Sequence, residues 1–355
     1  MNNKTITIKE LLAHPQVLEH INKSEIEQIH YECQRETIQT NDPLYIKILS
    51  GVGAWFSAFF LIMFCVLADL LDNSTNATVI GIIFFIAAIF IAKASKATFL
   101  DQLALALAIA GNILLVFYHL GIFYNFSFLT PVLIQTTVCL VVYPLYANAV
   151  YRYLAPILLA LLIAVWIVEE QPAHFIHFLI AAETLLLSLL TINKKIPAKF
   201  NPLLYSAATM LPATLLFLNF SQISWWRIEF QTPIQVSSVL VTAFTIYLFI
   251  HLAGGAKHLR EPWLITAIGT SALLGAFTTP GIPTAIALLV LGYNYNDRIL
   301  SGLAYLFLPI FLILYYYSLN VDLAYKSWIL AGSGLILLTV RLLAKRFLQP
   351  KKDTI

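Results

Sequence analysis

The sequence predicts an all-α fold, a polytopic transmembrane bundle of about twelve spans behind a short cytoplasmic N-terminal helical segment. Three observations support this: the composition, the recurrence of long apolar runs, and the placement of positive charges between them. Of the 355 residues, 60% are hydrophobic and 11% are charged, whereas soluble domains carry about 25% charged residues. A water-soluble fold this apolar would expose large patches. The predicted surroundings are therefore the lipid bilayer.

The predicted spans are apolar runs of about 20 residues, the length that a helix needs to cross a bilayer core, with shorter runs for helices inside the bundle. They fill residues 47–346, between an N-terminal segment, 1–46, and a tail, 347–355. The spans are Ile48–Ala68, Ala77–Ala92, Leu103–Tyr118, Phe128–Ala147, Tyr153–Val168, Phe175–Ile192, Leu203–Phe220, Val236–Ala253, Trp263–Thr278, Ile282–Tyr293, Ile299–Tyr317 and Trp328–Ala344.

Positive charges fall in alternate loops, and lysine and arginine prefer the cytoplasmic side of a membrane. With the N-terminus inside, the outer loops contain only Arg227 and Lys326, together with several acids. This pattern predicts that both termini are cytoplasmic. The net charge of +3 is too small to indicate nucleic acid as a partner. The inner loops and the tail hold Lys93, Lys96, Arg152, Lys194, Lys195, Lys199, Lys257, Arg260, Arg298, Arg341, Lys345, Arg346, Lys351 and Lys352.

The stretch from Trp263 to Asn296 could cross the membrane once or twice. It contains the sequence TTPGIPT, whose Pro280, Gly281 and Pro283 are typical of a tight turn. A single crossing would move Arg298 and the basic tail to the outside. The charge pattern therefore favours two crossings.

The N-terminal segment differs in kind from the rest of the chain. Thr7 and Ser24 each precede a helical pattern as a plausible N-cap, and the second pattern has a narrow apolar stripe on a polar helix. Two short helices bury little surface alone. The favoured interpretation is a cytoplasmic cap on the bundle or on the lipid headgroups, ahead of a dedicated docking module.

Glu183 lies in the middle of the apolar run HFLIAAETLLLSLLTI, with no basic residue nearby in sequence. A charged carboxylate at the bilayer centre costs about 2.5–3.5 kcal/mol on insertion scales, so we expect a neutral acid that points into the bundle. The favoured hypothesis is a structural hydrogen bond between helices, and the alternative is a proton-carrying group of a transporter. Possible partners at similar depth are Asn112, Gln135, Thr136 and Thr137.

The remaining chemistry-bearing residues are few. His177 and His251 lie near span ends, where we expect their side chains to reach the interface. Neither has a second ligand at metal-binding spacing, and no P-loop, GxSxG or HExxH motif is present. No catalytic residue, cofactor or metal is therefore predicted.

Small residues recur every fourth position on two predicted helices, at Ala104 and Ala108 and at Ala267, Ser271 and Gly275. Such faces let helices approach each other closely. A lipid-facing stripe would mark a contact between chains, whereas a buried stripe would only pack this chain's own core.

The C-terminal third, TTPGIPTAIALLVLGYNYNDRILSGLAYLFLPIFLILYYYSLNVDLAYKSWILAGSGLILL, resembles a bacterial membrane family, domain of unknown function 4401. The matching features are PGI before a short span, the turn GYNYNDRILSG, and YYYSL followed by KS and a small-residue SG. FLDQLALALAIAG and PLYIKILSGVGAW match more weakly, so the resemblance runs from about Pro43 to the end. It implies a bacterial inner-membrane protein and no known activity, cofactor or site residue.

The turn in that motif has a physical explanation. Asp297 and Arg298 lie between two spans at the predicted cytoplasmic face, where they could cap the two helix ends, with Asp297 near the positive N-terminus of the next helix. The glycine-and-basic loop of major-facilitator transporters is absent, because the corresponding position contains KASKATFLDQ.

Two hypotheses about function follow from these features. The favoured one is a non-catalytic membrane component or subunit that associates with other membrane proteins. The alternative is a proton-coupled secondary transporter that uses Glu183, with Asn112, Gln135, Asp297 and Arg298 as further candidate polar residues. A membrane-embedded enzyme ranks third. Transporters place several polar groups at mid-membrane, and this chain has few. A solvent-connected cavity at the depth of Glu183 would favour transport, whereas a dry, filled bundle would favour the component.

Reporter fusions test the predicted topology. Because positive charges stay inside, fusions at Lys195 and Ile355 should give a cytoplasmic signal and a fusion at Thr75 a periplasmic one. Alkaline phosphatase and green fluorescent protein are complementary reporters for the two sides. A periplasmic signal at Ile355 would rule out the twelve-span topology.

Overall fold

The described part of the chain is entirely helical in its regular elements. The computed structural model describes residues 44–94, 97–117, 119, 127–192, 200–221, 232–318, 322, 324–328, 331 and 335. Apolar runs form helices because a helix pairs its own backbone N–H and C=O groups, which lipid cannot satisfy. The all-α prediction is confirmed for these residues.

The α-helices follow one another with short connections, and 3-10 turns at Ala173–Phe175 and Ala256–His258 lie in two of these connections. The helices are α1 (Leu44–Leu67), α2 (Ser74–Ala94), α3 (Thr98–Phe117), α4 (Leu129–Leu145), α5 (Ala149–Glu170), α6 (Ile176–Ile192), α7 (Asn201–Ser221), α8 (Ile234–Leu252), α9 (Pro262–Phe277), α10 (Gly281–Asn294) and α11 (Arg298–Ser318).

Each of the first eleven predicted spans overlaps one of these helices. Eight helices in the described residues are long and apolar enough to cross a membrane, and α4, α9 and α10 are shorter apolar helices. These helices indicate a multi-pass membrane protein, whereas the number of crossings stays a prediction. Residues 1–43 of the predicted N-terminal segment, the tail 347–355 and nearly all of the twelfth predicted span, Trp328–Ala344, lie outside the described residues.

The chain divides between Tyr151 and Arg152 into two compact units. In the first unit α3 is the central helix, and α1, α2 and α4 contact it. Ala104 and Ala108 on α3 are both fully buried, as expected for a small-residue packing face. The closest approach is between α2 and α3, where a β-carbon on Gly111 would lie 2.7 Å from the carbonyl oxygen of Gly81.

The core of the second unit consists of apolar side chains from α6, α7, α8, α10 and α11, with Ile167 from α5. The antiparallel pair α10 and α11 is closely packed at both ends. A β-carbon on Gly281 would overlap the ring of Phe311, and one on Gly292 would overlap Ser301. Small residues at these positions therefore set the distance between the two helices.

The region that could have been one long span or two forms two helices, α9 and α10. Thr278 has an extended backbone, with φ −125° and ψ 179°, and ends α9. Pro280 then precedes the first residue of α10. Pro280 biases the preceding residue, Thr279, away from helical conformation and has no N–H to continue the hydrogen bonds of α9, which explains a break in this region. The turn predicted from TTPGIPT is therefore present.

A substitution at Gly111 tests the close approach of α2 and α3. Gly111→Ala places a methyl group against the Gly81 carbonyl, and overpacking of this kind costs about 1–3 kcal/mol. We therefore expect a lower midpoint in thermal unfolding of the purified protein in detergent.

Gly302→Ala is the matched control, because a β-carbon there meets no atom within 4 Å. Its midpoint should be unchanged or raised, since alanine favours the helix. Equal midpoints for the two variants would contradict the packing described for α2 and α3.

Candidate functional site

Glu183 lies on α6 inside the second unit, with 6% of its surface exposed. The hydroxyl of Thr214, on α7, donates a hydrogen bond of 2.9 Å to its Oε1 atom. Within the described residues Glu183 forms no ion pair with a lysine or arginine. The prediction that Glu183 points into the bundle and bonds a polar side chain on another helix is confirmed.

The partners predicted for Glu183 were wrong. Asn112, Gln135, Thr136 and Thr137 all belong to the first unit. The hydroxyls of Thr136 and Thr137 donate to backbone carbonyls one turn back on their own helix, at 2.7 and 2.9 Å. Depth in the bilayer was the criterion for choosing them, but depth does not say which helices are neighbours. Glu183 instead bonds the next helix along the chain.

The second carboxyl oxygen of Glu183, Oε2, is buried and has no hydrogen-bond partner among the described residues. Buried polar atoms are nearly always paired, so each exception calls for a water, an ion or a functional role as its explanation. A partner that arrives from solvent, such as a water molecule or a proton, would satisfy this oxygen.

A groove between α5 and α7 reaches Thr214 from the side of α7. Its volume is about 190 Å³, and Glu169, exposed on the last turn of α5, lies at its edge. Its lining is otherwise apolar. The residues that line it are Ala160, Leu161, Ala164, Val165, Val168, Glu169, Met210, Ala213, Thr214 and Phe217. Thr214, whose hydroxyl bonds Glu183, thus lines a groove that an acidic residue, Glu169, also lines.

His177 also lies on α6, and sequence reasoning missed its role. Its Nδ1 atom bonds the hydroxyl of Ser237 at 2.8 Å, and its Nε2 atom bonds the hydroxyl of Thr232 at 2.9 Å. Only 9% of its surface is exposed, so its side chain packs between helices instead of extending outward from the span end. Two hydroxyls at the start of α8 satisfy both ring nitrogens, and these hydrogen bonds offset the cost of removing the imidazole from water. Their placement at the same predicted membrane face as His177 was the signal available in the sequence.

Asn112 and Gln135 lie in the first unit and are both buried. The Asn112 amide donates a long hydrogen bond of 3.4 Å to the hydroxyl of Tyr151, and the Gln135 amide contacts the sulfur of Cys139 at 3.8 Å, one turn along α4. Tyr146 packs edge-on against Tyr151, with ring centroids 5.4 Å apart. Asn112 is therefore part of a polar and aromatic packing cluster with Tyr146 and Tyr151.

Asp297 caps the N-terminus of α11. Its Oδ1 atom accepts hydrogen bonds from the backbone N–H groups of Ile299 at 2.8 Å and Leu300 at 3.3 Å. Its Oδ2 atom accepts a bond of 2.8 Å from the hydroxyl of Tyr205 on α7. The predicted capping role of Asp297 is confirmed. Arg298 is exposed and forms no ion pair in the described part of the chain, so it caps neither helix.

A group of three or more histidine, cysteine, aspartate or glutamate side chains that could hold a metal is not found in the described residues. The candidate groups for proton chemistry are the Glu183 carboxyl group with the Thr214 hydroxyl and, separately on α6, the His177 imidazole with the hydroxyls of Ser237 and Thr232.

Comparison with known proteins gives one match. The family model described as a domain of unknown function, DUF4401, matches residues 43–347. The chain belongs to this family. No curated protein and no solved structure matches it.

The motif that suggested the DUF4401 family has a clear structural role in this member. In GYNYNDRILSG, Gly292 lets α10 approach Ser301, and Asn296 takes the left-handed conformation with φ 52°. Asp297 then caps α11. The hydroxyl of Tyr295 donates a bond of 2.7 Å to the carbonyl of Thr191, at the end of α6. The motif therefore fixes how the α10–α11 hairpin packs against α6 and α7.

Substitutions at Asp297 test the cap. Asp297→Ala removes the acceptor for two backbone N–H groups and should lower the free energy of unfolding by about 0.5–2 kcal/mol. Asp297→Asn keeps a cap acceptor and should be close to wild type. Thermal unfolding in detergent measures both.

Tyr205→Phe separates the cap from the bond to α7, because it removes only the latter. We expect a smaller loss than for Asp297→Ala. An Asp297→Asn variant as unstable as Asp297→Ala would show that the negative charge, and not the cap acceptor, provides the stability.

Proposed function

We propose that this DUF4401 protein is a secondary transporter in a bacterial inner membrane that couples solute movement to a proton carried by Glu183. The observation that carries the proposal is the state of the Glu183 carboxyl group. One oxygen accepts a bond from Thr214, the other has no partner in the described residues, and Thr214 borders a cavity. Buried polar atoms are nearly always paired, so the unpaired carboxyl oxygen needs a partner such as a water molecule or a proton.

The proposed topology has about twelve spans and two cytoplasmic termini. The charges of the second unit support it. His177 bonds Ser237 at the start of α8 and so marks one end of the second unit. Lys257 and Arg260, between α8 and α9, and Arg298, the first residue of α11, lie at the other end. Glu169 and Glu170 end α5, at the opposite helix ends. Basic residues at one face and acids at the other agree with the preference of lysine and arginine for the cytoplasm.

Glu183 is proposed to be neutral when the groove is closed to water. Burial in apolar surroundings disfavours the charged carboxylate, and no cation in the described residues offsets this cost. Water in the groove would give the charged form a solvent and a route for the proton. The hydroxyl of Thr214 is placed to pass a proton between such water and the carboxyl group, since a hydroxyl can donate and accept at once.

The Ala267/Ser271/Gly275 stripe adds no support for a component that works by association. Ser271 is buried, and a β-carbon on Gly275 would overlap the Thr242 side chain of α8. Part of the stripe therefore packs within this chain. The non-catalytic component stays a prediction, and so does the absence of enzymatic turnover.

Substitution of Glu183 tests the proton-carrier role. Glu183→Gln keeps the shape and an acceptor for Thr214 but cannot exchange a proton. In reconstituted vesicles on a solid-supported membrane, wild-type protein should give transient currents when a panel of small solutes is applied under an inward proton gradient. The variant should fold normally and lose the proton-coupled current, because an amide group cannot bind and release the proton.

Glu170→Gln is the matched control, an exposed carboxylate on α5 that does not line the groove, and it should keep the current. Thr214→Val should reduce the current, and Thr214→Ser should restore it. Full proton-coupled current in Glu183→Gln would exclude Glu183 as the carrier. If vesicles with the wild-type protein give no current with any solute, the result would contradict the transporter and favour the non-catalytic membrane component.

A further inference from the structure

A groove on the first unit runs between α2 and α4, and both of these helices pack on α3. Its volume is about 530 Å³, which lies within the range of about 300–1,000 Å³ for small-molecule pockets. Its floor consists of buried side chains from all three helices, Phe85, Leu115, Val138 and Val142. Its walls are mostly exposed apolar side chains of α2 and α4, so the groove is open along the side of this unit.

The lining of the groove determines the class of ligand. It is apolar except for Thr137. The Thr137 hydroxyl donates to the carbonyl of Leu133 on its own helix at 2.9 Å, so this donor is already satisfied. A polar ligand would exchange its bonds to water for an apolar lining, which is costly. The groove therefore favours a hydrocarbon chain.

The length of the groove agrees with one acyl chain of a membrane lipid. Between Leu133 and Leu145 the α4 wall advances about 18 Å, at a rise of about 1.5 Å per residue. The hydrocarbon core of a bilayer is about 30 Å thick, so the chains of one leaflet reach about 15 Å. Leu145 is the last residue of α4, and this helix end lies at the cytoplasmic face in the proposed topology. The groove is therefore aligned with the inner leaflet.

Lys93 provides a positive charge at the cytoplasmic end of the groove. Ile82, Ile86 and Ile89 line the groove from α2, and Lys93 follows Ile89 by four residues, on the same face of the helix. Lys93 is exposed and forms no ion pair in the described part of the chain. Its long side chain can lie along apolar surface while its ammonium group stays at the level of the lipid headgroups. A headgroup with a net negative charge would be attracted to it.

We propose that this groove binds an anionic phospholipid of the inner leaflet, with one acyl chain between α2 and α4 and the headgroup phosphate at Lys93. Basic groups between transmembrane helices on the cytoplasmic side bind anionic lipid headgroups in other membrane proteins. The acyl chain would fill the space between two helices that both pack on α3, and would so stabilise the first unit. The proposal does not involve Glu183 and is independent of whether the second unit moves a solute.

Native mass spectrometry of the full-length protein in detergent tests the headgroup. The probes are dioleoyl phosphatidylglycerol, which is anionic, and dioleoyl phosphatidylcholine, which has the same chains and no net charge. We expect the phosphatidylglycerol to bind about fivefold more tightly, the gain from one lysine near a membrane surface. Lys93→Gln should lower its affinity to that of phosphatidylcholine. Lys257→Gln is the matched control, at another exposed lysine of the same proposed face, and should keep the preference.

Thr137→Phe tests the groove itself. A ring at this exposed position would occupy the space between α2 and α4 without replacing a side chain of the core, and it should reduce the binding of both lipids. Leu140→Phe is the matched control, because Leu140 is 73% exposed on the same helix and does not line the groove. It should bind both lipids as the wild type does.

Three results would overturn the proposal. Lipid binding that is unchanged in Thr137→Phe would exclude the groove as the site. Equal binding of the two lipids by the wild type, or a preference that Lys93→Gln retains, would exclude the anionic headgroup at Lys93. A wild-type dimer that carries no lipid and that Thr137→Phe dissociates would show that a second copy of the chain occupies the groove.

Discussion

Hydrogen bonding without water is the constraint on which this structure depends. Inside a membrane bundle a hydroxyl or carboxyl group has only protein as a partner, and an unmade bond costs the full desolvation penalty. Most buried hydroxyls meet this demand locally, by donating to a carbonyl one turn back on the same helix. Thr184, Thr191, Thr245 and Thr284 all do so, at 2.6 to 2.9 Å. Of the buried side-chain atoms without a partner in the described residues, the Glu183 oxygen is the one that belongs to a carboxyl group.

The helices were predictable from the sequence because lipid imposes one local rule. An apolar run of sufficient length must pair its own backbone, so α1 to α11 follow from composition alone. The break at Thr278 and the cap at Asp297 were also predictable, because proline and aspartate act on the backbone within a few residues. The features predicted correctly are those whose cause lies within a few residues along the chain.

The neighbours of each helix were not predictable, because lipid-exposed and protein-facing apolar residues are chemically alike. The partner of Glu183 proved to be Thr214 on the following helix, and His177 found hydroxyls at Thr232 and Ser237. Small-residue spacing predicted a close approach at Gly275 but could not identify Thr242 as the side chain that fills it. Long-range pairing needs the arrangement of helices, which one sequence does not contain.

The same rule links the protonation of Glu183 to the hydration around it. A neutral Glu183 suits a closed groove, and a charged Glu183 requires water around its carboxylate, so each protonation state favours a different hydration of the second unit. Two ligands couple when each binds one of two states more tightly. A solute that prefers one of these two hydration states would therefore be coupled to the proton without direct contact with Glu183.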